Sequence, residues 1–306
     1  MAFARLLCQP DLLSSLCGAF CIQFARHENI LATAAASSRF SHLPRIKHRT
    51  LEADPARPRT IVVGDVHGCC DELKELLDAC EYDERTTRVV LVGDLVNKGP
   101  LSVETVRFAR ASGFACVRGN HDASALDAWI RRRAGGDAAS PKYAYIDGLT
   151  DDEVTFLREL PFTLRLVDTS TLIVHAGVVP GVPLEEQEPE AMCTMRNIVP
   201  RSMPSCSALA SGADEWEWRS KASEGVAWAG RWRPDAINFP GVDHVIFGHD
   251  AKRGLQQHEH TTGLDTGACY GRKLTALVLP ERRLVSVAAR RMYSEPASAK
   301  KGGGEE

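Results

Sequence analysis

Short motifs along the chain place polar side chains directly after apolar or β-branched runs. Each run ends in a glycine-containing turn, which is typical of a strand that stops and gives way to a loop. The polar residues in these turns are Asp65, His67, Asp94, Asn120, His121, His175 and His249. Because the carboxyl ends of neighbouring strands meet at one edge of a sheet, residues far apart in sequence can form a single site there.

These side chains favour metal chemistry. They combine carboxylates, imidazoles and one amide oxygen, without a thiolate, and this mixture suits borderline divalent ions such as Mn²⁺, Zn²⁺ or Fe²⁺ rather than copper or an iron–sulfur cluster. Six ligands are enough for two ions that share one carboxylate, with water completing each shell. Any one motif alone is also compatible with a structural histidine beside a tight turn. Five such motifs in order, each after a predicted strand, favour a metal site.

In their order and content the motifs resemble those of the calcineurin-like metallophosphoesterases, over about residues 59–289. They are Gly64-Asp65-Val66-His67-Gly68, Gly93-Asp94-Leu95-Val96, Gly119-Asn120-His121-Asp122, His175-Ala176-Gly177 and Gly248-His249. Within that superfamily the chain resembles the phosphoprotein-phosphatase branch. It is most similar to the ApaH-like phosphatases, relatives of bacterial symmetrical diadenosine tetraphosphatase. The closer similarity rests on Asn97-Lys98-Gly99-Pro100, on Asp122, on GHDAKRGLQ at 248–256 and on LDTGACYG at 264–271.

The resemblance implies a role for each polar residue and two divalent ions, which could be Mn, Zn, Fe or Co. One ion would be held by Asp65, His67 and Asp94, and Asp94 would bridge to a second ion held by Asn120, His175 and His249. A hydroxide between the ions would attack phosphorus, because metal binding lowers the pKa of water from ~16 towards ~7. His121 would protonate the departing oxygen as general acid. Lys98 would hold a phosphate oxygen, with Asn120 and Tyr270 as further phosphate contacts.

Two residues depart from the phosphoprotein-phosphatase pattern, which has Asp-Arg-Gly where this chain has Asn97-Lys98-Gly99. Asn97 can orient His121 but cannot raise its pKa by charge. Lys98 is a point charge on a flexible stem, whereas arginine would grip phosphate with a planar fork. Both differences favour phosphoanhydride substrates: dinucleoside polyphosphates, capped RNA ends or inorganic polyphosphate. The alternatives are a serine/threonine protein phosphatase and, less favoured, a metal-bound scaffold without catalysis.

The elements that must position these residues follow a repeated pattern of short strand, glycine turn and amphipathic helix. The resemblance implies an α/β sandwich of two mixed sheets packed face to face, with helices outside and the dimetal site at strand ends. Residues 162–167 and 171–174 are expected to form one hairpin, and 274–279 and 284–288 another. The segment 183–213 has no clear periodicity and is expected to be a long loop or lid.

Composition and charge are those of an ordinary globular protein. The 306 residues carry a formal net charge of −3, which does not indicate binding to double-stranded nucleic acid or to an acidic membrane. No apolar run is long enough to span a membrane. The ten cysteines are scattered without a CxxC pair. They favour a reduced, intracellular compartment.

The two ends of the chain differ from the middle. Residues 1–58 are predicted to be an N-terminal extension, 59–293 a single phosphoesterase domain and 294–306 a disordered tail. Residues 1–50 are rich in arginine and contain few acidic residues. They could be either a mitochondrial presequence or a disordered extension. The chain is therefore expected to be cytoplasmic, with mitochondria as the alternative.

Overall fold

The computed structural model describes residues 40, 42–135, 140–202, 215–235 and 237–296. In chain order the strands are β1 His48–Leu51, β2 Arg59–Val63, β3 Thr87–Leu91, β4 Ala115–Cys116, β5 Thr163–Leu166, β6 Thr171–Val174, β7 Asn197–Pro200, β8 Trp216–Arg219, β9 Val226–Ala227, β10 His244–Phe247, β11 Gln256–Gln257, β12 Thr261–Gly263, β13 Lys273–Leu279 and β14 Arg283–Ala288. The α-helices are α1 Cys70–Ala79, α2 Ser102–Ala111, α3 Asn120–Arg133, α4 Asp151–Glu159 and α5 Pro189–Thr194. Within the described residues, 3₁₀ helices span Pro141–Gly148, Leu184–Glu186 and Trp228–Gly230.

Two mixed sheets form the centre of the fold. One has the order β1-β5-β6-β10-β12-β11 and the other β14-β13-β2-β3-β4. In the second sheet β2, β3 and β4 are parallel, and in the first β6, β10 and β12 are parallel. Both predicted hairpins are present, as β5–β6 and β13–β14. The predicted α/β sandwich is confirmed, with a third, antiparallel sheet β8-β7-β9 that the sequence did not predict.

The alternation of buried side chains along each strand builds the layers. In β2, Ile61 and Val63 face one apolar cluster and Val62 faces another. The cluster around Val62 also contains Ile173 and Ile246 from the other sheet, so it lies between the two sheets. The cluster that Ile61 and Val63 face also contains residues of α1, α3 and α4, so it lies between this sheet and the helices. Successive strand residues point to opposite faces, so a strand buried on both sides reads as a continuous apolar run.

The segment 183–213 contains more structure than the predicted loop. Leu184–Glu186 forms a 3₁₀ helix, α5 follows it, and β7 pairs with β8 and β9. The helix and strand form because Met192 and Ile198 are fully buried in the cluster on the outer face of the six-stranded sheet. Residues 203–213 of the predicted loop lie outside the described residues.

Ordered structure is also present before residue 59, where the phosphoesterase domain was predicted to begin. Strand β1 pairs in parallel with β5, and Phe40 is buried in the core. The Arg118 guanidinium donates to the carbonyl of His42, which ties this segment to the loop before α3. A presequence that is cleaved off could therefore not extend through residue 50 without removing an edge strand. The remaining predictions for residues 1–39 and for 297–306 lie outside the described residues.

Removing the segment before residue 59 should destabilise the protein. Loss of a buried phenylalanine alone costs about 3–5 kcal/mol, and the loss of β1 uncovers the edge of β5. We expect a chain beginning at residue 59 to lose at least about 3 kcal/mol of unfolding free energy in urea relative to one beginning at residue 40. Equal urea midpoints for the two chains would contradict the role assigned to this segment.

None of the helices in the described part of the chain has the length and apolarity needed to cross a membrane.

Candidate metal centre

The carboxyl ends of strands from both central sheets deliver the predicted site residues. Asp65 and His67 follow β2, Asp94 follows β3, and His175 and His249 follow β6 and β10. Asn120 and His121 begin α3. A direct hydrogen bond joins the two sheets here: the backbone N–H of His249, after β10, donates to Asp65 Oδ1, after β2, at 3.1 Å. The predicted residues therefore share one site.

Backbone carbonyls set the orientation of each histidine ring. His67 Nδ1 lies 3.1 Å from the Val96 carbonyl, and His175 Nδ1 lies 2.8 Å from the Val92 carbonyl. His249 uses the other nitrogen, with Nε2 3.1 Å from the carbonyl of Thr194. A ring nitrogen that donates to a carbonyl leaves the opposite nitrogen unprotonated in the neutral ring, which is the arrangement found in metal-binding histidines.

Asp94 lies between two sets of candidate ligands. Its Oδ2 is 3.4 Å from His67 Nε2, and its Oδ1 is 3.4 Å from His175 Nε2. Asn120 Oδ1 lies 3.1 Å from the same His175 nitrogen. Because the two carboxylate oxygens face different groups, this side chain has the geometry of a bridging ligand.

Two clusters of possible ligand atoms share Asp94. His67, Asp94 and His121 form one, and Asp94, His175 and His249 form the other, with the ligand atoms of each within 4.8 Å of one another. Asp65 is outside both clusters, although its Oδ2 is 3.9 Å from His67 Nε2. The structure thus brings most of the predicted ligands together in two groups, and the first group contains His121 rather than Asp65.

The backbone at the site is strained. His67, Asp94, Asn97, Lys98 and His249 all have positive φ angles, between 48° and 71°. This region costs non-glycine residues about 1–3 kcal/mol each and persists only where the surrounding structure enforces it. Such conformations cluster at functional sites, and here they occur in the loops that carry the candidate ligands.

Burial controls the ionisation of the site. It lowers the pKa of His175 to about 4 and lowers the pKa values of His67 and His249 well below the ordinary value, so these rings are neutral and can bind metal. Burial, and then the charges of Asp265 and Asp94, raise the pKa of Asp65 well above its usual range. The carboxylates of Asp65, Asp94 and Asp265 are thus held close together in a buried place. A positive charge beside them would offset their repulsion.

Asp122 has a structural role that sequence reasoning did not assign. One of its carboxylate oxygens accepts from the backbone N–H groups of Asp94 and Gly119, at 2.8 and 2.9 Å, and the other accepts from Leu95 N–H at 2.9 Å. Its side chain therefore fixes the loop that carries the bridging residue. The sequence signal was its place in the motif that contains Asn120 and His121.

Lys98 and Tyr270, the predicted phosphate contacts, lie beside each other next to His67. Lys98 Nζ is 2.7 Å from His67 Nε2 and 5.0 Å from the centre of the Tyr270 ring. Burial alone would lower the pKa of this ammonium, but the charge of Asp94 contributes to a net rise. The group is therefore a lasting positive charge at the site.

Asn97 contacts His121, as predicted for an orienting residue. Asn97 Nδ2 lies 3.1 Å from His121 Nδ1. The group beside His121 Nδ1 is thus an uncharged amide.

Gly119 should be intolerant of any side chain. A methyl group at this position would lie 2.1 Å from Asp94 Oδ1, whereas one at Gly230 would meet only the ring of His258, at 3.7 Å. A 1 Å displacement of a catalytic group can cost about a hundredfold in rate. We expect Gly119→Ala to reduce Mn²⁺-dependent hydrolysis of p-nitrophenyl phosphate by about that factor, while Gly230→Ala, the control, keeps the wild-type rate. Wild-type turnover in both variants would show that the Asp94 position is not critical.

Comparison with known protein families identifies the fold. The family model for calcineurin-like phosphoesterases matches residues 58–253. The chain belongs to the calcineurin-like phosphoesterase family. The phosphoesterase domain and the hydrolase activity expected from the sequence are thereby confirmed.

Among curated relatives of this phosphoesterase are bacterial enzymes named symmetrical bis(5'-nucleosyl)-tetraphosphatase. The one from Aromatoleum aromaticum is 30% identical over 271 residues, covering 74% of this chain and 96% of its own. The Coxiella burnetii enzyme is 30% identical over 277 residues, covering 77% and 94%. These similarities confirm the predicted likeness to the ApaH-like phosphatases.

Solved structures show the same relationship. A structure described as a proposed diadenosine tetraphosphatase superposes with a TM-score of 0.67 at 32% identity, covering 80% of this chain and 98% of its own. A serine/threonine phosphatase from Saccharomyces cerevisiae superposes with a TM-score of 0.50 at 13% identity, covering 95% and 98%. The second similarity is one of fold alone.

Proposed function

We propose that this phosphoesterase hydrolyses phosphoanhydrides and that dinucleoside tetraphosphates are its best substrates. The observation that carries the proposal is the contact between Asn97 and His121, at 3.1 Å. An amide supports an imidazole without the charge that would help it to protonate a strongly basic leaving group. A nucleoside phosphate leaves as a weak base and needs less help. The names of the curated relatives support the same substrate class.

The residues at the site fit two divalent ions. Asp65 and His67 would hold one, Asn120, His175 and His249 would hold the other, and Asp94 would contact both. The fit rests on the chemistry of the donors: buried neutral imidazoles beside carboxylates whose burial and mutual repulsion raise the pKa of Asp65. When bound, the ions would lower the pKa of water, so that hydroxide would be available to attack phosphorus. They would also draw negative charge from the phosphoryl oxygens. Mn, Zn, Fe and Co are all compatible with this donor set.

The remaining site residues would hold and polarise the substrate. Lys98 would bind phosphate oxygens, and Tyr270 would line the same side of the site. The oxygen of water bonds to one of the two inner phosphorus atoms as the central P–O bond of the tetraphosphate breaks. The bond's electron pair leaves with the departing nucleoside diphosphate. His121 would donate a hydrogen bond to this leaving oxygen.

Other substrates with the same leaving-group chemistry are capped RNA ends and inorganic polyphosphate. Serine/threonine protein phosphatase activity remains the alternative from a different substrate class, and a metal-bound scaffold would show no turnover at all. A panel of these substrates, with p-nitrophenyl phosphate as a generic ester, separates the candidates.

Product analysis tests the proposal directly. With Mn²⁺, diadenosine tetraphosphate should yield ADP as the only nucleotide product, two molecules for each substrate molecule. AMP together with ATP would contradict cleavage of the central P–O bond. Turnover of p-nitrophenyl phosphate without cleavage of any anhydride in the panel would overturn the proposed substrate class, and an absence of all turnover would favour the scaffold.

A further inference from the structure

A chain of hydrogen bonds connects Tyr145 to His121. The Tyr145 hydroxyl donates to Asn97 Oδ1 at 2.9 Å, and Asn97 Nδ2 lies 3.1 Å from His121 Nδ1. The three side chains come from the 3₁₀ helix Pro141–Gly148, from the loop after β3 and from the first turn of α3. Tyr145 belongs to none of the sequence motifs that predicted the site.

This chain fixes which way the Asn97 amide faces. Asn97 is buried, and its backbone N–H donates to Ser102 Oγ at 3.0 Å, so the residue itself has a defined position. Its amide can still present either nitrogen or oxygen to the imidazole. Burial raises the pKa of the Tyr145 phenol, which keeps the hydroxyl protonated as a donor. The amide oxygen accepts that hydrogen, and the amide nitrogen is therefore turned to His121.

The direction of the amide determines what His121 can do. With Nδ2 donating to Nδ1, the ring carries its hydrogen on Nε2 and can offer it as a hydrogen bond to a departing oxygen. A ring that transfers a whole proton from Nε2 must also carry a hydrogen on Nδ1. That hydrogen needs an acceptor, and the amide would have to present Oδ1 instead. The observed direction therefore suits a leaving group that needs only a hydrogen bond.

We propose that Tyr145 is a specificity-determining positioning residue, which holds the Asn97 amide in the direction that favours phosphoanhydrides over alkyl phosphate esters. This proposal rests on the proposed function and on the role of His121 there. It adds a residue, remote from the reacting atoms, that sets the preference between two substrate classes. Removal of the hydroxyl frees the amide to rotate and to accept a hydrogen from Nδ1.

The test compares the ratio of kcat/KM for diadenosine tetraphosphate to kcat/KM for a phosphoserine peptide in Tyr145→Phe and in the wild type. One neutral hydrogen bond corresponds to about a threefold to tenfold change, and we expect the ratio to fall by that factor. Tyr143→Phe, on the same 3₁₀ helix, is the matched control and should leave the ratio unchanged. The phenylalanine keeps the ring, and the thermal midpoint of each variant checks its folding.

Asn97→Asp supplies a second arm. A carboxylate presents an acceptor in either direction, so Tyr145→Phe made in that variant should no longer change the ratio. A tyrosine that acted only on stability would have the same effect in both backgrounds.

The outcomes distinguish a failure of the proposed function from a failure of the role assigned to Tyr145. A wild-type enzyme without an anhydride preference overturns the proposed function. An anhydride preference that Tyr145→Phe leaves intact overturns only the role of Tyr145. The tautomer of His121 can also be measured in the wild type by the ¹⁵N chemical shifts of its ring, with His121→Asn used to assign the signals. We expect the hydrogen of the neutral ring on Nε2. A hydrogen on Nδ1 of the neutral ring would contradict the proposal.

Discussion

Asp94→Asn should reduce turnover by at least about a thousandfold. Loss of a residue that only supports a metal ligand already costs about 10- to 100-fold, and Asp94 would contact both ions. Its carboxylate oxygens each lie 3.4 Å from a different candidate histidine ligand, His67 and His175. An amide in this position keeps the shape of the side chain but offers one weak oxygen ligand and no charge.

The fold should survive this substitution. Burial is the main cause of the raised pKa of Asp65, and the charge of Asp94 adds to it, so removing that charge relieves electrostatic repulsion in the metal-free protein. We expect the thermal midpoint without metal to be equal to that of the wild type or higher. Added Mn²⁺ should stabilise the wild type and have little effect on the variant.

Elemental analysis and turnover together check the prediction. Metal content should fall below the two ions per chain expected of the wild type. Asp147→Asn serves as a control, because Asp147 is an exposed aspartate that pairs with Arg132 outside the site. Full activity of Asp94→Asn, or full activity of the wild type after exhaustive chelation, would rule out the assigned metal centre.

Asn97→Asp should narrow the difference between anhydride and ester substrates. A carboxylate beside His121 Nδ1 would stabilise a hydrogen on that nitrogen and favour the protonated ring. Ester hydrolysis depends more on proton delivery, because serine leaves as a strongly basic alkoxide. We expect kcat/KM for a phosphoserine peptide to rise by about tenfold relative to that for diadenosine tetraphosphate, equivalent to about 1.4 kcal/mol.

The neighbouring residues offer a control for this result. Lys98→Arg changes the phosphate contact without changing the partner of His121, so it should affect both substrates more evenly. If Asn97→Asp changes both substrates by the same factor, the amide has no part in substrate preference.

The site could be predicted from the sequence because its signals are local. Asp65, Asp94 and His249 each follow a β-branched or apolar run and stand beside glycines that the close packing requires. A methyl group at Gly248, for example, would lie 2.0 Å from Asp65 Oδ1. The order of such motifs restricts the topology, since parallel strands bring their carboxyl ends to one edge.

Features formed only by tertiary contacts could not be predicted in this way. Tyr145 reaches Asn97 across 48 positions of sequence, and a tyrosine in a 3₁₀ helix carries no signal of its partner. Strand β1 has two partly buried residues at its ends and two exposed residues between them, so it lacks the alternation that marks a strand. Its basic neighbours made it resemble a presequence. Helix α5 has six residues, too few for a helical period to be distinguished from a loop.

The most direct measurement of the central claim is the substrate preference of the wild-type enzyme. We would determine kcat/KM for diadenosine tetraphosphate and for a phosphoserine peptide with the same preparation at saturating Mn²⁺. The value for diadenosine tetraphosphate should be higher by at least about tenfold, or about 1.4 kcal/mol of transition-state preference. Equal values, or a higher value for the phosphopeptide, would contradict the proposed role of Asn97 and favour a protein phosphatase.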